Sequence, residues 1–361
     1  MKKLLKLLGA FFISIILLCF GLFIFLYINS PGTMKPLVNK NGLVIKNSIS
    51  EMRFIKLGNM KQFITIRGKN QSNPILLLLH GGPGTTQTHL FNTHNIKLEN
   101  HYTLVNWEQR GAGKSYNKNI DSKTMTEKQF IQDTHELTMY LKQRFNKKKI
   151  FILGHSWGSH IGLLTAAKFP NDYHGYIAIG QSIDIKQSED ISYQNILKKA
   201  KEDNNHEAID ELLKFGPPRN GKYKGGIKNL IRLRKWWRHY GGSSYNPDDL
   251  FSIFIKPLIF YRGYTIKDKL SYFSGEIFSV KHLLSDMTKA NMAKRIPELK
   301  IPVYFLHGIH DQQTVYSLVE KYYHTLRAPH KKLYTFKNSA HFLPYEEIDR
   351  FHNIMINEIK K

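Results

Sequence analysis

The order of apolar and polar positions divides the chain into segments of different kind. Residues 7–28 form an uncharged run without a polar face, preceded by Lys2, Lys3 and Lys6. As a helix rising about 1.5 Å per residue, this run is long enough to cross a hydrocarbon core of about 30 Å. From Met52 onward, short apolar runs alternate with helical periodicity. Phe54–Leu57 and Gln62–Arg67 predict a hairpin about Gly58-Asn59. Ile75–Leu79 is continuously apolar, as expected of a strand buried on both faces. Further strands are predicted at Tyr102–Trp107, Lys149–Leu153 and Tyr173–Ile179, with helices at Glu127–Phe145 and from Ser156 to about Phe169. The alternation stops at Ser182, and the chain to Arg295 reads as helices and loops. It resumes with strand Ile301–Leu306, helix Val315–Leu326, strand Lys332–Phe336 and helix Tyr345–Ile359. The expected architecture is an α/β fold: a mostly parallel sheet with helices on both faces, interrupted by one helical insertion and preceded by a transmembrane helix. The expected divisions are an anchor at 1–30, a linker at 31–51, core at 52–181, a helical cap at 182–292 and core again at 293–361.

The amino-terminal run is expected to be a retained anchor. A cleaved signal would have a shorter apolar region and small residues at the cut, where Leu26, Tyr27 and Ile28 stand. A lipid anchor on Cys19 is disfavoured because Leu17 and Leu18 precede it. Lysines flank the run on both sides, so charge decides orientation only weakly. The reading adopted places the amino end inside and the catalytic domain outside. Ser30-Pro31-Gly32 ends the helix.

Composition narrows the picture. A chain of 361 residues with 42% apolar and 22% charged residues can bury a large core and is not disordered. A single cysteine excludes an intramolecular disulfide framework and a cysteine-rich metal cluster. The net charge of +25 suits either a lysine-rich solvated surface or attraction to polyanions. Basic residues concentrate between Lys214 and Arg238, around Trp236-Trp237. That segment is read as solvated surface or as contact with a membrane or wall, and it would favour substrates with acidic groups; nucleic acid is not an expected partner.

The candidate chemistry begins at Gly154-His155-Ser156-Trp157-Gly158, a G-x-S-x-G sequence between a predicted strand and a predicted helix. That setting is a nucleophile elbow: a strained turn lifts a serine hydroxyl above the sheet. His80-Gly81-Gly82-Pro83-Gly84 follows the apolar strand and offers backbone amides to a developing oxyanion. The two expected donors are Gly82 and Trp157. A phosphate cradle is weak, because no G-K-[ST] follows.

These two motifs, with Trp107-Glu108-Gln109-Arg110-Gly111-Ala112-Gly113-Lys114-Ser115 between them, resemble the proline iminopeptidase family of α/β-hydrolases. The resemblance covers roughly Met52–Gly180 and Ile301–Lys361. It implies an α/β-hydrolase core with a helical cap, removing an amino-terminal residue, often proline, from peptides. Glu108 departs from the aspartate usual in the second motif; Glu108 and Arg110 are expected to buttress the site loops. The fold's chain order of nucleophile, acid and base places the acid at Asp311, after strand 301–306, and the base at His341, after the last strand. Both positions also fit the family pattern. His307 and His310 are expected to be bystanders, and His155 to pack beneath the elbow. The family's acidic cap residues bind the substrate amine; Glu189, Glu202, Glu207, Glu211 and Glu276 are the candidates here. No metal or organic cofactor is implied. The expected function is a membrane-anchored serine hydrolase acting on a small peptide; the alternative is an esterase or amidase acting on a non-peptide acyl substrate with the same machinery.

Overall fold

A computed structural model describes residues 2–360. Helix α1 (Lys2–Ile28) has none of its apolar stretch Lys6–Ile28 buried in the protein, and that stretch is long and apolar enough to cross a membrane. Strands β1 (Ile49–Leu57) and β2 (Met60–Gly68) form an antiparallel hairpin. β1 starts five residues before the predicted strand, because Ile49–Arg53 pair with Ile64–Gly68. Among these five, the buried Ile49 and the half-buried Met52 are separated by Ser50 and Glu51, so no alternating apolar pattern marks the strand.

β3 (Ile75–Leu79) lies inside the sheet, and its alternate residues feed two cores: Leu77 and Leu79 on one face, Leu76 and Leu78 on the other. Burial on both faces is the reason for its unbroken apolar sequence. There follow α2 (Thr88–His94), β4 (Thr103–Glu108), α3 (Glu127–Arg144), β5 (Ile150–His155), α4 (Trp157–Lys168) and β6 (Tyr173–Ile179). The described residues between β6 and the next strand form α5 (Ile185–Glu202), α6 (His206–Phe215), α7 (Ile227–His239), α8 (Lys256–Phe260), α9 (Ile266–Lys289) and α10 (Met292–Arg295), and add no strand to the sheet. The chain closes with β7 (Val303–Gly308), α11 (Tyr316–Thr325), β8 (Lys331–Phe336), α12 (Leu343–Glu346) and α13 (Ile348–Ile354).

The eight strands lie in the order β1-β2-β4-β3-β5-β6-β7-β8. β2 is antiparallel to both neighbours, and from β4 to β8 every pair is parallel. The carboxyl ends of β3, β5 and β7 therefore share one edge of the sheet, where ligand sites of open α/β sheets form.

Two expectations are corrected. The last helix is broken at Glu347, where the backbone leaves the helical region. The break turns two carboxylates onto the loop after β8: Glu346 accepts from the Ala340 amide (2.9 Å) and Glu347 from the Asn338 amide (2.7 Å). The basic stretch on α7 is not a membrane-facing aromatic patch. Trp236 and Trp237 are buried in a core shared with α5 and α6, and the cations above them are paired, Arg234 with Glu189 and Lys235 with Glu207. Spacing alone does not show that acids from other helices meet this run.

Candidate active site

Ser156 sits between β5 and α4 with φ +54°, a left-handed conformation that a non-glycine residue adopts only when its surroundings impose it. The surroundings are visible. The Ser156 amide donates to the Ile179 carbonyl of β6 (3.0 Å). A Cβ on Gly158 would lie 1.9 Å from the Leu79 carbonyl oxygen of β3, and one on Gly154 would lie 2.3 Å from the Gly158 carbonyl oxygen. The two glycines of the motif are thus packing requirements: backbone meets backbone beneath the serine.

Trp157 is the first residue of α4, so its N–H belongs to the helical turn that lacks intrahelical acceptors. Its indole donates to Gln109 Oε1 (3.0 Å), and Gln109 Nε2 donates to the His80 carbonyl (2.9 Å). The buried Gln109 thereby ties the elbow to the Gly81–Gly84 loop. Sequence reading passed over it; its place in the second motif was the available signal. Gln109→Ala would leave the Trp157 indole N–H and the His80 carbonyl without these partners. The expected loss is about 2 kcal/mol of folding stability, read from urea unfolding midpoints at unchanged slope.

His80 and His155 brace the same region as neutral rings. Burial pushes both down, His80 to about 4 and His155 to about 3; the adjacent His341 pushes His155 further in the same direction. Their hydrogen bonds are consistent with single tautomers. His80 Nδ1–H donates to the Gly81 carbonyl (2.9 Å), while Nε2 accepts from the Gln109 amide (3.1 Å). His155 Nε2–H donates to the His341 carbonyl (2.8 Å), while Nδ1 accepts from Gln87 (2.7 Å). His155 therefore holds the loop that carries His341.

Asp311, just beyond β7, and His341, beyond β8, meet side chain to side chain. His341 Nδ1 lies 2.7 Å from Asp311 Oδ2, and both residues are buried. The other carboxylate oxygen accepts from the Gln313 and Thr314 amides (2.7 and 2.9 Å), and the Thr314 hydroxyl donates to Oδ2 (2.7 Å). Burial pushes the Asp311 carboxyl up. The His341 charge, its hydrogen bond, His307 and the Thr314 amide outweigh burial and bring the carboxyl down to about 2. A depressed carboxylate stabilises the fold above its unfolded value of about 3.9, and that contribution is lost as pH falls through the folded value. His307 is nearer than a bystander: Nε2 is 3.6 Å from Asp311 Oδ2 and also meets the Thr314 carbonyl. His310 points elsewhere, donating to the Lys337 carbonyl (3.1 Å).

Gly81 and Gly180 close the arrangement. A Cβ on Gly81 would stand 3.1 Å from the Ser156 Cβ, and one on Gly180 would stand 3.1 Å from His341 Cε1. The five residues singled out from sequence, Gly82, Ser156, Trp157, Asp311 and His341, thus lie on loops, or for Trp157 at a helix start, gathered at one edge of the sheet. Glu108, at the end of β4, is buried and pushed up to about 7 by burial, despite donors from the Tyr264 hydroxyl and the Lys114 amide. Arg110 pairs with buried Asp133 (2.9 Å).

A cavity of about 280 Å³ lies beside three of these loops, with none of the five residues themselves in its lining. Thr85, Gln313 and Phe342 line it, each close in sequence to one of the candidate loops. Among its described lining residues the one carboxylate is Glu276, on α9. Close backbone packing puts it there: a Cβ on Gly84 would lie 2.8 Å from the Glu276 Cα. Burial raises the Glu276 carboxyl above its ordinary value, against the pull of the Thr85 hydroxyl. Of the other acids considered, Glu189, Glu207 and Glu211 pair with cations of α7, and Glu202 pairs with Lys198. Of the basic run, Arg238 alone lines this cavity. A larger cavity of about 550 Å³ lies between residues 33–35 and 252–263 and holds none of the candidate residues. Among the described residues no group of three or more His, Cys, Asp or Glu side chains is placed to hold a metal ion.

Sheet order, elbow and the Asp–His pair together define an α/β-hydrolase. Residues 70–205 match the family described as serine aminopeptidase, S33. The chain is 33% identical over 312 residues to the probable aminopeptidase YbaC of Bacillus subtilis (strain 168), covering 86% of this chain and 96% of that one. It is 22% identical to a proline iminopeptidase of Heyndrickxia coagulans, over 77% and 88% of the two chains. The solved proline iminopeptidase of Mycobacterium smegmatis shares the fold, with a TM-score of 0.62 at 16% identity over 86% of this chain and 97% of that one. The chain belongs to the serine aminopeptidase family of α/β-hydrolases, the group that includes the proline iminopeptidases, and it is a hydrolase.

Proposed function

We propose that this is a membrane-anchored serine aminopeptidase that releases an amino-terminal residue, such as proline, through an acyl-enzyme. Ser156 Oγ attacks the scissile carbonyl carbon and passes its proton to His341 Nε2. Asp311 holds the Nδ1–H of His341, leaving Nε2 as the base, and stabilises the imidazolium that forms. The Gly82 and Trp157 amides take the oxyanion. His341 then gives the proton to the departing amine, and water, deprotonated by the same ring, frees Ser156. The segment 182–292 acts as a cap over core segments 52–181 and 293–361, with residues 31–51 linking them to an anchor at 1–30. The anchor reading rests on the apolar length of α1, and the amino end inside is the orientation adopted.

The observation that carries the peptidase reading is Glu276. A buried ammonium needs a partner, because leaving it unpaired costs several kcal/mol. Glu276 is the carboxylate facing the cavity that Thr85, Gln313 and Phe342 also line. The test compares a prolyl-arylamide, its N-acetyl derivative and a short-chain acyl ester. The free amine is expected to be turned over far faster than the blocked one. Glu276→Gln is expected to lower kcat/KM on the free amine by about 10²-fold, the scale of a lost buried charge pair, with the ester nearly unchanged. Equal or faster turnover of the blocked substrate, with brisk ester hydrolysis, would make the enzyme an esterase using the same residues.

A further inference from the structure

Helix α9 has two apolar faces. One packs inward through Tyr272, Gly275, Ser279, Leu283 and Met287. The other carries Leu270, Phe273 and Ile277, which are 80%, 53% and 70% exposed. Their spacing places them along one side of the helix, with exposed Lys267 before them and Lys281 after them. Such a stripe, apolar in the middle and lysine at both ends, is the pattern of a helix lying in a lipid interface. Phe260, just before α9, is exposed as well.

The stripe begins where α1 ends. Thr265, the cap of α9, bridges to Pro31, and the Lys269 ammonium donates to the Asn29 carbonyl (3.3 Å) and the Ser30 hydroxyl (2.8 Å). The Phe25 and Phe260 rings meet edge to face, with centroids 5.9 Å apart, and Arg262 donates to the Ile28 carbonyl (3.3 Å). A spanning α1 therefore brings the start of α9 to the bilayer surface. Charge agrees: Lys35 and Lys256 line the larger cavity beside this junction, together with Arg262. Basic groups at such a surface are attracted to anionic headgroups. The stripe also reaches the cavity that holds Glu276, since its exposed Phe273 lines that cavity.

We propose that the α9 face lies on the bilayer, so that the active site opens onto lipid and takes amphipathic amines whose apolar part is held in the membrane. The inference rests on the anchored-aminopeptidase reading, and the test separates the two. The full chain is placed in phosphatidylcholine–phosphatidylglycerol vesicles containing brominated acyl chains. A bimane label is carried at native Cys19, within α1, or in a Cys19→Ser background at Leu270→Cys, Ile277→Cys or the control Leu213→Cys, an exposed residue of α6. Quenching at 19, 270 and 277 but not at 213 is the expected result. Quenching at 19 alone overturns the docking face and leaves the anchor. Quenching at 270 and 277 without 19 keeps the face and discards the anchor. Uniform quenching, or none, overturns the face. Activity supplies the substrate arm. Leu270→Glu with Ile277→Glu is expected to lower kcat/KM on an aminoacyl dodecylamide in vesicles by about tenfold, because acidic side chains are repelled by an anionic surface. A water-soluble aminoacyl-arylamide should be hydrolysed as before. Equal loss on both substrates, or on neither, overturns the proposal.

Discussion

Ser156→Ala is expected to lower turnover by about 10⁴-fold or more while the protein still folds. The substitution keeps the Cβ that packs against Gly81 and keeps the amide bonded to Ile179, so the elbow retains its supports. What is removed is the hydroxyl alone. The left-handed backbone at this position is equally unfavourable for serine and alanine, so strain does not separate the two. A fluorophosphonate probe should label the wild type at Ser156 and spare the variant, and thermal unfolding should show that both are folded. Labelling at another serine would sink the assignment.

His341→Ala is expected to be as damaging as Ser156→Ala, and the double variant no worse than either, because the two groups act as one unit. His310→Ala should change kcat/KM by less than about threefold, since its ring donates to the Lys337 carbonyl and packs beside Tyr245 rather than meeting Asp311. His307→Ala should fall between them. His307 is buried, sits 3.6 Å from Asp311 Oδ2 and bonds to the loop that also holds Asp311. Its removal loosens the acid without removing the base. A crippling His310→Ala beside a mild His341→Ala would overturn the placement of the base after the last strand.

The candidate catalytic residues and the candidate amine-binding residue were legible to very different degrees. Ile75–Leu79 and Ile150–Leu153 announce buried parallel strands by composition alone, because a strand covered on both faces has no position for a polar side chain. The strand-to-helix switch at Ser156 is equally local, since Gly154 and Gly158 mark backbone packing that forbids a side chain. Asp311 and His341 could be placed because each follows a recognisable strand, so a one-dimensional order translates into a common edge of the sheet. β1 was legible only in its second half, because Ile49 and Met52 are separated by Ser50 and Glu51, and cross-strand pairing with β2 carries the strand through that break.

What the tertiary structure alone decided concerns charge. Five acids between β6 and β7 looked equivalent along the chain. Folding pairs Glu189, Glu207 and Glu211 with the cations of α7, pairs Glu202 with Lys198, and leaves Glu276 facing the cavity. Folding likewise packs the tryptophans of the basic run into a core with α5 and α6, while the exposed apolar stripe lies on α9. Gln109 and His155 likewise acquire their roles only when distant loops are brought together. Apolar burial and backbone sterics are written residue by residue, in periodicity and in glycine. The partner of a charge, or of a buried amide, is set by which elements pack side by side, and that depends on the whole chain at once.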